Sequence, residues 1–366
     1  MKKCVKSCLS LVIVVLSVFQ FGCPVIAHAA PPEYNFSERL NSLLAAVYDD
    51  AEGFGLDRDE LAGASLGTAI FGYELVSGRL QKLDYTYYPI ISNGKILFFA
   101  IDDGNGLSLT ECYAKELSVY VNKNIPIALI YDRENCYVVT KEDAEMLVTF
   151  GDPITSRDTF STPTQVVEYA GIFDAALTTV RSEKSISIEP SVATVSVNTD
   201  VSLLVPFVSQ HPPEDSLICW AASIACIGNY LTGKSYTAVD IAQSLYGTNN
   251  YNKSTTMENI GPILHHNYTV YYDYYGYGKA PSESLLVNNI SKGYPVYARW
   301  WYENRNGTKG YHATVIRGIY QSVNAVFIMD PEYGFSVGEK SNGTFTYVSA
   351  IVGNTLTLDG YCSAYT

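Results

Sequence analysis

From Cys219 to Lys292 the chain reads as four helices, and from Pro295 to Ile351 as four strands. The helices cover Cys219–Leu231, Thr237–Tyr246, Thr256–His265 and Ser282–Lys292, with stops at Gly233 and Gly293. The strands cover Pro295–Tyr302, Tyr311–Tyr320, Ala325–Asp330 and Thr344–Ile351, with Asn306-Gly307 as the turn between the first two. Helices first and strands afterwards do not alternate as βαβ units do. The order predicts an α+β domain with helices packed on an antiparallel sheet. Leu203–Val208 is expected as a strand ahead of the first helix, and the tyrosine-rich run from Tyr268 to Tyr277 as a strand or loop.

The preceding part reads as a separate small α+β unit. Phe36–Asp50 carries Leu40, Leu43, Leu44 and Val47 on one helical stripe. Ala69–Val76, Tyr87–Ser92 and Lys95–Ile101 read as strands, the last two joined at Asn93-Gly94. Ile125–Tyr131 and Cys136–Thr140 read as a second hairpin. Arg181–Asp200 is poor in core-forming residues and reads as an extended linker, with Arg181 and Lys184 as basic sites for nicking. The expected organisation is therefore 1–29, 30–180, 181–200 and 201–366.

Residues 1–29 have the form of a signal peptide. Lys2, Lys3 and Lys6 precede an apolar run from Leu11 to Phe19, and Ala27-His28-Ala29 supplies the small-x-small cleavage pattern. The expected product is secreted, with no stable membrane insertion. Asp and Glu number 37 against 24 Lys and Arg, giving a formal charge of −13, which argues against a nucleic-acid partner. Of eight cysteines, Cys4, Cys8 and Cys23 leave with the leader. Cys112, Cys136, Cys219, Cys226 and Cys362 remain, in no metal-site or disulfide pattern. Apart from Cys219 the other four either pair or stay buried, with Cys112 and Cys136 as the candidate bridge and Cys226 suited to a buried position. His265-His266 lacks the further ligands a metal needs, so neither metal nor cofactor is expected.

The chemistry gathers around Cys219, which opens a helix in the run Ile218-Cys219-Trp220-Ala221-Ala222-Ser223. Negative charge there is stabilised by the helix dipole and by unpaired N–H groups of the first turn. The thiolate is the nucleophilic form of cysteine. His312 lies near the start of one strand, and Asp330 ends the next. Adjacent strands bring two such residues within side-chain reach. In that arrangement His312 would give its Nδ1–H to Asp330 and turn Nε2 towards Cys219. Nucleophile, base and orienter in that order point to cysteine-nucleophile acyl chemistry.

Cys-Trp-Ala-Ala at a helix start, Tyr311-His312-Ala313-Thr314-Val315 and Asp330-Pro331 resemble the papain-like cysteine peptidases, in particular their small bacterial secreted branch. The resemblance covers about residues 201–366. It implies a papain-like fold, a peptide substrate, Cys219 as nucleophile, His312 as base, Asp330 as orienter and Gln210 as oxyanion donor. Each oxyanion donor is worth about 3 kcal/mol in comparable acyl-transfer sites. The segment from His211 to Ile218 lengthens the usual Gln-to-Cys interval. Residues 30–180 more loosely resemble a propeptide, which implies a zymogen whose N-terminal domain inhibits the cleft in cis; an attached accessory module is the rival. A transglutaminase-like acyl transferase and a non-catalytic binding protein on a peptidase scaffold are the alternatives in function.

Overall fold

The structure is a computed structural model. It describes residues 35–132, 135–149, 165–166, 177–186, 188, 200–211, 216–275, 278–303, 308–341, 343–349 and 354–366. The expected signal peptide, the Asn306-Gly307 turn and most of the expected linker lie outside these residues. Among the described residues no helix is long and apolar enough to cross a membrane.

The N-terminal part starts with the helix Phe36–Asp49. Asn35 caps it by accepting from the Glu38 N–H, and Leu40, Leu43, Leu44 and Val47 are buried. A short helix, Arg58–Ala62, follows. Then come β1 (Ser65–Gly67), β2 (Ile70–Val76), β3 (Arg79–Ser92), β4 (Lys95–Asp102) and β5 (Leu107–Thr110). Both Asn93 and Gly94 have positive φ, as the tight turn between β3 and β4 demands. A helix at Ala114–Lys123 interrupts the strands, and β6 (Pro126–Tyr131), β7 (Asn135–Val139) and β8 (Ala144–Thr149) complete this part. Most pairings are antiparallel, but β2 and β6 run parallel.

β9 (Thr178–Thr179) pairs with β6, and β10 (Ser182–Ser185) with β1. The expected linker thus begins with a strand. Lys184 lies opposite Leu66, and Arg181 exchanges hydrogen bonds with Thr68. These ties disfavour nicking at either residue in the folded chain, because proteases need a segment that can leave its partners.

In the C-terminal part, β11 covers only Val201–Ser202. Leu203–Val208 is not the strand that its apolar content suggests: Pro206 has no N–H for a ladder, and Leu204 and Phe207 face solvent. Four helices follow at Cys219–Thr232, Ala238–Tyr246, Met257–Tyr268 and Glu283–Ile290, with β12 (Tyr271–Tyr275) before the last. Thr237 forms a full capping box with Asp240, and Ser282 caps the Glu283 helix.

The remaining strands are β13 (Val296–Glu303), β14 (Lys309–Tyr320), β15 (Ala325–Asp330), β16 (Gly334–Ser341), β17 (Thr344–Ser349) and β18 (Asn354–Tyr365). Each pairs antiparallel with the next, and β18 pairs back with β13. The six therefore close into a barrel. Trp300, Ile316, Ile328, Phe345, Tyr347, Leu356 and Leu358 form its core. Ala313, Val315 and Met329 join the helices in a second core on the outer face. Alternation along β14 decides this division up to the register shift between Ile316 and Gly318: Thr314 and Ile316 turn inward, and Ala313 and Val315 meet the helices.

β5 links the two parts. Leu109 and Thr110 pair with Val337 and Ser336 of β16, and Val348 of β17 donates its N–H to Ser108 Oγ at 2.9 Å. One apolar cluster contains Leu43, Leu44, Phe54 and Leu109 together with Phe327 and Val337. The described residues from Asn35 onward form one compact unit.

Candidate active site

The Cys219 helix begins without a side-chain cap, since Ile218 occupies the cap position. Ala221 N–H donates to the Ile218 carbonyl at 2.9 Å, and no side-chain oxygen caps the first turn. The chain entering the helix is held by side chains: Leu217 N–H donates to Asn252 Oδ1 at 2.7 Å, and Trp220 Nε1 to the Lys253 carbonyl at 2.8 Å. Trp220 and Ala221 to Gly228 are buried, whereas Cys219 itself is partly exposed. The helix delivers one accessible thiol at its positive end.

His312 approaches from β14. Its Nε2 lies 2.8 Å from Asp330 Oδ1, and the ring also hydrogen-bonds Cys219. The contact with Asp330 is made through Nε2, not through the Nδ1 that the sequence reading expected. The strand register explains the difference. Val315 pairs with Met329, so Asp330 lies opposite Thr314 and diagonal to His312. Diagonal neighbours are about 7–8 Å apart, a gap that favours the outer ring nitrogen. Nδ1 then serves Cys219, and the roles of the two nitrogens are exchanged while the order of the three groups is kept.

The side chains of His312 and Asp330 are 13% and 2% exposed, so water screens their pairing little. Burial works against a charged ring, but Asp330 first and Cys219 after it hold the His312 proton well above the usual imidazole range. Asp330 is an acceptor for three groups. Its Oδ1 also receives the Glu332 N–H at 3.0 Å, and its Oδ2 receives the Tyr347 hydroxyl at 3.1 Å. The Glu332 carboxyl is pushed up to about 7, chiefly by desolvation, with His312 opposing and Asp330 reinforcing the rise.

Gln210 is 3% exposed, and its N–H donates to the Pro331 carbonyl at 2.9 Å, which ties it to the loop beyond Asp330. Its Nε2 makes a long 3.5 Å contact with the Ser216 carbonyl, and its Oε1 is buried with no hydrogen-bond partner among the described residues. His211 is exposed. His265 donates from Nδ1 to the Val270 carbonyl, and among the described residues no cluster of His, Cys, Asp and Glu could hold a metal. Trp300 is fully buried behind the site, with Nε1 donating to Thr314 Oγ1 at 2.7 Å and its ring edge-on to Tyr347 at 4.8 Å.

Burial separates Cys219 from its counterparts. Cys226 and Cys362 are buried thiols whose ionisation is pushed up to about 12 by desolvation. Cys112 and Cys136 are buried in one cluster, without the disulfide between them that the sequence suggests.

Residues 202–349 match the family model described as Peptidase_C39 like family. The matched stretch contains Gln210, Cys219, His312, Asp330 and Tyr347, and the likeness supports a cysteine peptidase-like domain there. The chain matches no curated protein.

Proposed function

We propose that the protein is a secreted cysteine peptidase that hydrolyses peptide bonds through a thioacyl-enzyme. The observation that carries the reading is His312 held between Asp330, 2.8 Å from Nε2, and the partly exposed Cys219 at a helix start.

An ionised Asp330 can only accept, so the proton of the 2.8 Å contact is on Nε2. The Cys219 thiol proton passes to His312 Nδ1, and the Sγ thiolate attacks the scissile carbonyl carbon as the carbonyl π electrons move onto oxygen. The first-turn N–H groups of the Cys219 helix and Gln210 supply the candidate donors for that oxyanion. The tetrahedral adduct collapses as His312 gives the Nδ1 proton to the leaving amine, forming the thioester. Water then attacks the thioester carbonyl, losing a proton to Nδ1. Breaking of the C–S bond yields the free acid and restores Cys219.

The reading extends to the export signal in residues 1–29 and to synthesis as a zymogen. The rim of contacts along β5 and β16 supports a lasting association in cis. Processing within the 181–200 segment would then leave the N-terminal piece bound rather than released.

The test is mass spectrometry of the purified protein and of Cys219→Ala over time, combined with hydrolysis of a peptide mixture. Free-acid products, iodoacetamide labelling at Cys219 and self-cleavage restricted to the unmutated protein are expected. Amide transfer to a lysine or polyamine would instead identify an acyl transferase. Neither hydrolysis nor labelling would overturn the enzyme reading.

A further inference from the structure

The hydroxyl of Tyr347 reaches the third member of the candidate triad from inside the barrel. It donates to Asp330 Oδ2 at 3.1 Å, while His312 Nε2 and the Glu332 N–H occupy Oδ1. Each carboxylate oxygen therefore has its own donor, and rotation of the Asp330 carboxylate would break bonds on both. Tyr347 is 1% exposed and has little freedom of its own. Its ring stands edge-on to Trp300, and the Trp300 indole is anchored on Thr314. Burial, and next the charge of Asp330, push the phenol well above its usual range, so it remains a donor throughout the neutral range.

We propose that Tyr347 is a positioning residue: its hydroxyl fixes the Asp330 carboxylate, and through it the ring of His312. The proposal rests on the cysteine-peptidase reading. It assigns the barrel interior a part in the chemistry.

The groups around the His312–Asp330 pair include Cys219 on its helix, which meets His312, and Glu332 and Tyr333 on the following turn and Cys112 from the N-terminal part, which face Asp330. None of them is altered by Tyr347→Phe, which removes one donor and keeps the ring. Without the Tyr347 hydroxyl the Asp330 carboxylate keeps donors on Oδ1 alone and is free to turn. In that variant kcat should fall about ten-fold while KM stays within about two-fold, as expected for an effect on the chemical step. Leu358→Ala removes a neighbouring core side chain from the same barrel and controls for lost stability.

The proposal is overturned if Tyr347→Phe keeps the kcat of the unmutated enzyme, or if Leu358→Ala lowers kcat equally at unchanged KM. A second arm needs no turnover. In Cys219→Ala, proton NMR follows the Nε2–H of His312, assigned through His312→Gln. Adding Tyr347→Phe should speed exchange of that proton with water about ten-fold at fixed pH, the size of one hydrogen bond to a charged group. An unchanged exchange rate overturns the proposal. An unmutated protein that hydrolyses no peptide overturns the peptidase reading instead, and the NMR arm still decides the role of Tyr347.

Discussion

Arg317 Nη1 lies 2.7 Å from Asp50 Oδ2, and the arginine side chain is fully buried. Asp50 ends the first helix of the chain and Arg317 is in β14, so the pair spans the two halves of the fold. Ser202 donates to the other oxygen of Asp50 at 2.6 Å, and the guanidinium lies over the rings of Phe54, Phe327 and Phe335. A pair of this kind contributes little net stability, but removing one partner strands the other charge. Asp50→Ala should destabilise the protein by about 3–5 kcal/mol, seen as a lower midpoint in denaturant unfolding. Gly53→Ala tests the same spot, because a Cβ there would lie 2.6 Å from Arg317 Nη1.

Asp330→Ala should cost more than Asp330→Asn. The asparagine amide retains an oxygen that can accept the Nε2–H of His312, whereas alanine leaves the ring without an orienter. We expect Asp330→Ala to reduce kcat about 100-fold, within the range typical of proton-transfer groups, and Asp330→Asn to retain more activity. Steady-state hydrolysis of one peptide substrate by both variants decides the order.

Iodoacetamide should discriminate among the five cysteines of the described chain by burial. Cys219 is partly exposed, whereas Cys112, Cys136, Cys226 and Cys362 are buried. Brief labelling of the native protein should mark Cys219, and labelling in denaturant should mark all five, with peptide mass spectrometry as the measurement. Fast native labelling of Cys226 or Cys362 would contradict the packing described above.

Glu111 makes stability depend on pH. Its carboxyl sits on the β5–β16 seam, accepts the Phe335 N–H at 3.2 Å and is raised from 4.5 to about 7, mainly by burial. Between those values the folded state binds more protons than the unfolded state, so stability falls as pH rises. Glu332 adds a change of the same sign. Glu111→Gln mimics the neutral acid. It should match the unmutated protein near pH 4 and exceed it near pH 8 by up to about 3 kcal/mol. Urea unfolding at the two pH values measures the difference.

Much of the site was legible because its residues occupy element ends, where local signals are strong. Cys219 starts a helix, Asp330 ends a strand, and Gly233 stops the Cys219 helix in a left-handed conformation. What escaped depends on the third dimension. The Nε2 contact follows from a diagonal register that no local pattern encodes. Tyr347 gains its role only when closure of the barrel sets β17 beside the end of β15; its inward position in an alternating strand was the available clue. The helix Ala114–Lys123 was hidden because only Ala114 and Leu117 of it are buried. β16 was hidden by its composition, since Gly338, Glu339 and Lys340 lower its apolar signal. Glu339 is nevertheless buried, taking the Leu107 N–H at 2.9 Å and facing Arg39 at 3.2 Å.

The entry of β5 beside β16 has a consequence for any fragment cut from this chain. β17 pairs with only the last part of β16, from Glu339 to Ser341, and β5 takes the backbone edge at Ser336 and Val337. A fragment beginning at Val201 would carry the whole candidate triad, yet would bare that edge together with the apolar faces of Phe327 and Val337. Uncovered strand edges recruit other strands. Such a fragment should self-associate, and supplying residues 30–180 as a separate chain should compete with that self-association for the same edge.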